Sequence, residues 1–257
     1  IHPFTNKFFQ KKNNLINEIK NDGINLLSWK MIQPHQVFEV FTDDRKIFTK
    51  NLTPGQSFFQ ENLYRRGGEE FREWNPERSK LGAAIARGSL NLGIRKGNVV
   101  LYLGAAHGYT PSFISDIVGK EGLIFGLDPA PRVMRDLIHL SQSRPNIIPL
   151  LADANHPEEY LDKVCLADIV YQDVAQRNQS EIFLKNCAIF LKKGGYGLLA
   201  VKARSIDVRK KPKVVFEEVK KELEKDKTVK IIDYRLLEPY EKDHCMFICK
   251  KNWKIFI

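Results

Sequence analysis

Short apolar runs alternate with longer amphipathic segments from about residue 75 to the end of the chain. The predicted strands are NVVLYLG, GLIFGLD, NIIPLLAD, ADIVYQDV and YGLLAVKA. The predicted helices are Ser79 to Leu90, TPSFISDIVG, PRVMRDLIHLSQSR, SEIFLKNCAIFLKK and KPKVVFEEVKKELEK. Such alternation predicts a parallel sheet that helices cover on both faces. Two last strands, VKIIDYRLL and HCMFICKK, predict an antiparallel edge because a short connection joins them.

The preceding part of the chain has a different pattern. Two apolar segments flank the turn-forming pair Asp43 and Asp44 in QVFEVFTDDRKIFTKNL, which predicts a hairpin. The pair Pro54-Gly55 marks a further turn. We interpret this part as a small antiparallel β-domain, and the alternative is an extension of the main sheet. The predicted division is an N-terminal extension over 1–35, the β-domain over 36–74 and the large domain over 75–257.

The first thirty residues are polar, and Leu15, Ile16 and Ile19 indicate a short amphipathic helix there. No apolar run approaches the roughly 20 residues that cross a bilayer, so no membrane partner is expected. The four cysteines form no CxxC pair and match no metal spacing. We expect reduced core thiols, no bound metal and an intracellular protein. The net charge of +10 favours a polyanionic partner, although charge alone is weak evidence.

Glycine and aspartate residues mark the ends of the predicted strands. Gly104 and Gly108 bracket the turn after the first strand, where glycine lets the backbone approach a ligand closely. Asp128, Asp153 and Asp173 follow at the ends of the next three strands, where carboxylates can bind ribose hydroxyls or an adenine amino group. The motifs GxGxxG and GxxxxGK[ST] are absent from the sequence. The pattern favours a nucleoside without a pyrophosphate, against the alternatives of a tight turn and scattered surface carboxylates.

Six segments of the chain resemble successive motifs of the fibrillarin family. They are REWNPERSKLGAAI, VLYLGAAHGYTPSFISDIVG, RPNIIPLLADANHP, DVAQRNQ, VKARSID and LEPYEKDH. The resemblance extends from about Gln36 to Lys251 and is closest to archaeal members, because no Gly/Arg-rich segment is present. It implies a Rossmann-like class I methyltransferase sheet, mostly parallel with an antiparallel edge strand, beside a small N-terminal β-domain. It also implies S-adenosyl-L-methionine as cofactor and a cytoplasmic location, or a nucleolar one in a eukaryote.

The resemblance places the cofactor contacts on residues of the strand ends and the loops that follow them. They are Gly104, Ala105, Gly108, Tyr109, Thr110, Asp128, Pro129, Asp153, Ala154, Asp173, Val174, Ala175 and Gln176. Four positions depart from the family pattern. His107 and Tyr109 replace a smaller residue and Thr, Asp128 replaces a more frequent Glu, and Pro129 replaces an aromatic residue. A carboxylate at Asp128 preserves the ribose contact.

Ribose methylation requires groups that align a 2′-hydroxyl with the methyl donor and stabilise the developing alkoxide. Asp173 and Lys202 end the fourth and fifth strands, and they converge if those strands are neighbours. The resemblance adds Lys80 and His244 to this catalytic set. Our hypothesis is that Lys202 orients or deprotonates the hydroxyl, Asp173 sets the position and charge of Lys202, and the other two hold ribose and phosphate. Lys80 is alternatively part of a basic helix face, and His244 a strand cap.

Basic residues near this edge are candidates for contacts with the RNA backbone. They are Arg78, Arg204, Arg209, Lys210 and Lys211. The alternative is that they are solvated surface charges. The resemblance further implies a box C/D guide RNA, target rRNA or tRNA, a Nop-domain scaffold protein and a kink-turn-binding subunit that resembles a ribosomal protein. The aromatic residues of the small β-domain belong either to that docking surface or, as we favour, to its core.

Two other functions stay open at this point. One is a methyltransferase that acts on a protein acceptor such as glutamine. The other is a scaffold that binds RNA without catalysis, against which the set of three aspartates and Lys202 counts.

Overall fold

The computed structural model describes residues 31–252, and residues 33–252 belong to one compact unit. The helix predicted around Leu15, Ile16 and Ile19 lies outside the described residues. No helix in the described part of the chain is long and apolar enough to cross a membrane. The predicted domain boundaries at 35/36 and 74/75 stay a prediction.

Five short strands form a separate antiparallel sheet, in the order β1-β2-β3-β5-β4. They are β1 (Gln33–Pro34), β2 (Val40–Thr42), β3 (Ile47–Lys50), β4 (Leu63–Arg66) and β5 (Glu69–Trp74). The predicted hairpin is confirmed, since β2 pairs with β3 and the Asp43 carboxylate accepts the N–H groups of Arg45 and Lys46 in the turn. The alternative of an extension of the main sheet is wrong, because the two sheets share no strand.

The main sheet has seven strands in the order β11-β12-β10-β9-β6-β7-β8. Its strands are β6 (Val99–Leu103), β7 (Leu123–Asp128), β8 (Ile147–Leu151), β9 (Ala167–Gln172), β10 (Leu191–Lys202), β11 (Val229–Leu236) and β12 (His244–Lys251). The five strands from β6 to β10 run parallel, and β12 pairs antiparallel with both β10 and β11. The predicted Rossmann-like sheet with its antiparallel edge is therefore confirmed.

Six helices of the described chain accompany the sheets. They are α1 (Lys80–Ala86), α2 (Tyr109–Val118), α3 (Pro131–Ser143), α4 (Gln179–Phe190), α5 (Ala203–Ile206) and α6 (Pro212–Lys225), with 3₁₀ turns at Pro76–Arg78 and Pro157–Tyr160. Helices α3 and α6 both begin with proline. The first N–H group of a helix has no partner within the helix, so the N–H that proline lacks costs no hydrogen bond there. The helix predicted from Ser79 to Leu90 is shorter than expected. It ends at Ala86 because Gly88 has a left-handed φ of 85°.

Alternate residues of the buried strands pack against opposite faces of the main sheet. Along β6, Val100 and Tyr102 join one apolar cluster, and Leu101 and Leu103 join the other. The cysteine prediction is confirmed for β12, where Cys245 and Cys249 are free thiols buried in one cluster. Burial raises the pKa of Cys249 to about 12, so this thiol stays protonated at neutral pH.

A buried ionic cluster joins the small sheet to α2 and α3. The Asp116 carboxylate accepts from Arg72 Nη1 at 2.8 Å and from Arg144 Nη1 at 2.7 Å, and all three side chains are fully buried. Arg72 also pairs with Glu61, at 2.7 Å. Because α2 begins at the glycine loop, the cluster fixes the helix that carries this loop against the small sheet.

Candidate active site

The turn after β6 brings the backbone of two strand ends together. Gly104 has a left-handed φ of 83°, and a Cβ atom at this position would overlap the carbonyl oxygen of Asp173. Gly108 has a φ of 89°, and a Cβ atom there would lie 2.6 Å from Leu140. Ala105 between them is buried. The loop therefore requires glycine for close approach, as the sequence predicts.

Asp128 ends β7 with its carboxylate beside this loop. One carboxylate oxygen accepts the N–H of Ala106 at 3.0 Å, and the other accepts the N–H of Ala130 at 3.0 Å. A carboxylate has about four lone-pair sites, so both oxygens can accept further hydrogen bonds. Pro129 and Ala106 are exposed on either side. This arrangement can hold a pair of vicinal hydroxyls.

Asp153 lies in the turn after β8, two residues beyond the strand end at Leu151 rather than at that end. Its Oδ1 accepts both the N–H and the side-chain amide of Asn155, at 2.9 Å each. The N–H bond from Asn155 holds the pKa of Asp153 below its usual value. Its other oxygen can accept from an amino group. Ala154, the next predicted contact, is buried.

Two asparagines that the sequence analysis missed connect Asp153 to the loop after β9. Asn155 Nδ2 donates to Gln176 Oε1 at 3.0 Å, and Asn178 Nδ2 donates to Asn155 Oδ1 at 2.9 Å. Asn155 follows Asp153 by two residues in the sequence DAN, a spacing that is typical of a local turn. This signal could have identified Asn155. Of the other predicted residues in this loop, Ala175 is exposed. Val174 packs against the buried core.

The side chains of Tyr109 and Thr110 pack against residues that precede the main sheet in the chain. The Tyr109 ring contacts Phe59 at 5.3 Å between centroids, and its hydroxyl accepts the N–H of Asn75. Thr110 Oγ1 donates to Ser79 Oγ at 3.0 Å in a buried contact. These two side chains join α2 to neighbouring elements, so the predicted cofactor contacts at these positions, which stay predictions, would use their main chain.

Lys80 and Asp173 form an ion pair at the end of β9. Lys80 is the first residue of α1, and its Nζ lies 2.9 Å from Asp173 Oδ2. Burial acts against the charge of Lys80, but the Asp173 carboxylate outweighs it and raises the pKa of Lys80. Lys80 therefore stays protonated at neutral pH. The sequence hypothesis paired Asp173 with Lys202, but its ion pair in the structure is with Lys80.

Lys202 and His244 face each other across the last pair of the β10–β12 ladder. The Lys202 side chain is exposed, and the His244 ring is buried, with Nδ1 2.6 Å from the Lys242 carbonyl. Burial lowers the pKa of His244, so the ring is neutral at pH 7. Since the carbonyl can only accept, Nδ1 carries the proton and Nε2 keeps its lone pair. All four predicted catalytic residues thus lie at the carboxyl edge of the sheet.

This geometry can be compared with known proteins. A family model described as fibrillarin matches residues 30–253. The chain belongs to the fibrillarin family. It is 51% identical over 218 residues to the fibrillarin-like rRNA/tRNA 2′-O-methyltransferase of Pyrococcus abyssi. The matched region covers 84% of this chain and 95% of the relative.

Two solved fibrillarin structures are similar to the chain. Aeropyrum pernix fibrillarin, in complex with natively bound S-adenosyl-L-methionine, has a TM-score of 0.78 and 44% identity, over 85% of this chain and 97% of that one. The fibrillarin of a fibrillarin/Nop5p complex has a TM-score of 0.77 and 40% identity, over 84% of this chain and 98% of that one.

The basic residues predicted as RNA contacts mostly have partners within this fibrillarin-family chain. Arg78 lies over the Tyr109 ring at 4.4 Å and donates to the Phe59 carbonyl. Arg204 pairs with Asp243, Arg209 with Asp207, and Lys210 with Glu218. Lys211, at the start of α6, is exposed. Arg78 is exposed despite these contacts, so all five stay predicted candidates for contacts with a phosphate backbone.

Within residues 31–252, no group of three or more His, Cys, Asp or Glu side chains is arranged to hold a metal ion. His107, one of the positions that depart from the family pattern, pairs with Asp136 of α3 at 2.5 Å. This contact joins the glycine loop to α3.

Proposed function

We propose that this chain is an RNA 2′-O-methyltransferase that transfers a methyl group from S-adenosyl-L-methionine to ribose 2′-hydroxyls of rRNA or tRNA. The observation that carries the proposal is the Lys80–Asp173 ion pair at the same sheet edge as the Asp128 carboxylate. That edge joins a place for a nucleoside to charged groups suited to a ribose hydroxyl. Membership of the fibrillarin family and the activity named for the Pyrococcus abyssi relative support the same reaction.

The strand ends offer the acceptors that an adenosine requires. Asp128 would accept from the two ribose hydroxyls, and Asp153 from the adenine amino group. Gly104 lies so close to the Asp173 carbonyl that a side chain at this position would overlap it, which keeps the loops after β6 and β9 in close contact. When bound, the cofactor supplies an electrophilic methyl group on a sulfonium sulfur.

Lys80 is a positively charged group of the site at neutral pH, and its place is set by Asp173. A protonated lysine can hold the ribose or the adjacent phosphate, and it stabilises negative charge that develops on the 2′-oxygen. Asp173 keeps that charge in place through the 2.9 Å contact. The pair therefore provides electrostatic stabilisation, whereas Lys80 in its protonated form is unable to act as a base.

His244 and Lys202 are the groups that would handle the hydroxyl. Nε2 of the neutral His244 ring can accept a hydrogen bond or a proton from the 2′-hydroxyl. The exposed Lys202 ammonium, on the facing strand, would orient the hydroxyl and the neighbouring phosphate. This assignment gives His244 the larger share of proton handling and keeps Lys202 as the orienting group.

We propose that the chain works in a box C/D ribonucleoprotein, with a Nop-domain scaffold and a kink-turn-binding subunit. The fibrillarin/Nop5p complex supports the scaffold, and the net charge of +10 suits an RNA partner. Guide pairing would select the nucleotide, so the enzyme itself needs to recognise only ribose and backbone.

The proposed function is tested by methyl transfer in the reconstituted assembly, with labelled cofactor and a guide-matched RNA. Nuclease treatment should remove the label, and protease treatment should leave it. The K202A variant should assemble with the guide complex but lose transfer. Label that resists nuclease and follows the protein would instead support the protein-acceptor function, and near-normal turnover by K202A would contradict the role of Lys202.

A further inference from the structure

The side chain of Gln179 is fully buried at the first position of α4, where a polar side chain needs hydrogen-bond partners. Its Oε1 accepts the N–H of Lys202 at 3.1 Å. Its Nε2 donates to the carbonyl of Gln176 at 2.7 Å and to the carbonyl of Lys202 at 3.4 Å. One amide group thus contacts the main chain of two segments that carry predicted site residues.

The sheet itself leaves the main chain of Lys202 without a partner on one side. The parallel ladder between β9 and β10 ends at the pair Gln172 and Leu199, before β10 reaches Lys202. A buried backbone N–H or carbonyl requires a partner. The primary amide of Gln179 supplies both, since it offers an acceptor and a donor in the geometry of a peptide group.

The position of Gln179 is itself held from β9. Gln172, also fully buried, donates from Nε2 to the main-chain carbonyl of Gln179 at 2.6 Å. Through Gln176 and Asn155 the same polar chain reaches the carboxylate of Asp153. The amide therefore joins the predicted catalytic strand end to the loop after β9, one of the loops predicted to hold the cofactor.

We infer that Gln179 is a positioning residue for the methyl-transfer site: its amide sets the main chain of Lys202 and of the 173–176 loop relative to each other. This inference rests on the proposed function. A side chain that loses the donor or the acceptor leaves one of these segments free to shift, and a shift of about 1 Å costs roughly 100-fold in rate.

The test compares three variants of the full chain, assembled with its scaffold, kink-turn protein, guide and target RNA. Q179L removes both hydrogen-bonding functions at similar volume. Q179E keeps the acceptor, and it regains a donor when its carboxyl group is protonated. E181Q, on the exposed face of the same helix, is the matched control. The measured quantity is the single-turnover rate constant at saturating cofactor and RNA, between pH 6 and 9.

We expect Q179L to lose about 10- to 100-fold in this rate constant and E181Q to match the unaltered chain. The rate of Q179E relative to the unaltered chain should rise as the pH falls, because a protonated carboxyl can donate to Gln176 again. Because a buried carboxylate also destabilises the fold when it ionises, the rate constants are compared only at pH values where urea unfolding shows Q179E to be folded. Q179L with an unchanged rate constant, or Q179E with a pH-independent ratio, would overturn the inference.

A second measurement separates this inference from the proposed function. Hydrogen exchange of the Lys202 amide, in the full chain, should be at least tenfold faster in Q179L than in E181Q. If the unaltered assembly transfers no methyl group to RNA, the proposed function fails, while the exchange result still decides the inference. Equal protection of that amide in Q179L and E181Q would contradict it. If Q179L does not fold, Q179M, which also lacks the donor and the acceptor, replaces it in both measurements.

Discussion

The ion pair between Lys80 and Asp173 joins the start of α1 to the end of β9, and a double-mutant cycle measures what it contributes. The variants are Lys80→Met, Asp173→Asn and the combination of both. The 2.9 Å contact corresponds to a gross attraction of about 6 kcal/mol at an effective dielectric constant of about 20. Desolvation of both groups reduces this attraction.

The exposure of the two side chains sets the expected net value. Lys80 is 19% exposed and Asp173 is 24% exposed, between a surface pair and a buried one. Surface pairs contribute about 0–1 kcal/mol, and breaking buried pairs costs about 3–5 kcal/mol. We therefore expect a coupling free energy of about 1–3 kcal/mol.

Urea unfolding of the four proteins provides the assay, and a second cycle on Lys185 and Glu181 of α4 provides the control. That pair lies at 2.8 Å, but its side chains are 50% and 56% exposed, so we expect a coupling below about 0.5 kcal/mol. A Lys80–Asp173 coupling no larger than that of the control would refute the reasoning. It would mean that solvent screens the pair and that Asp173 does not hold the charge of Lys80.

Three further predictions follow from the site and its support. Replacing Gly104 with Ala should weaken cofactor binding, measured by calorimetry, at least tenfold. The new methyl group overlaps the Asp173 carbonyl, and a left-handed φ costs a residue other than glycine about 1–2 kcal/mol. A cofactor affinity within twofold of that of the unaltered chain would contradict this. Asp116→Asn should lower the free energy of unfolding by about 3–5 kcal/mol in urea, because two buried arginines lose a carboxylate; a loss below about 1 kcal/mol would show that the cluster is not needed. Burial lowers the pKa of His244, so below about pH 6.5 the unfolded chain binds a proton at this residue that the folded chain does not. The free energy of unfolding should therefore decrease as the pH falls below about 6.5. His244→Gln should remove this component, and parallel stability curves for the two proteins would contradict the assignment.

The alternation of strands and helices in the sequence was sufficient to predict the main sheet and much of its functional edge. Asp128 and Lys202 end parallel strands, and Asp173 directly follows one, so their proximity follows from sheet geometry alone. Lys80 and His244 entered only through the family resemblance, because their positions depend on how α1 and β12 pack. The partner of Asp173 was predicted wrongly for this reason: the contact with Lys80 joins residues 93 apart in the chain.

The polar groups that support the site were harder to predict. Gln179 and Gln172 are buried only because two strand ends and a helix start meet around them. Arg72 on β5 and Asp116 on α2 resemble surface charges in a sequence, since nothing local shows that they face each other across two elements. Buried polar networks depend on tertiary contacts, so a periodicity argument assigns these residues to solvent.

The central claim is the transfer of a methyl group to a ribose 2′-hydroxyl at this site. It is tested most directly in the reconstituted assembly, with labelled S-adenosyl-L-methionine and two target RNAs that differ only in the 2′-hydroxyl of the guide-selected nucleotide. We expect label at that one nucleotide of the ribose target and none on the 2′-deoxy target. Equal labelling of both targets, or no transfer by a chain that binds the cofactor, would contradict it.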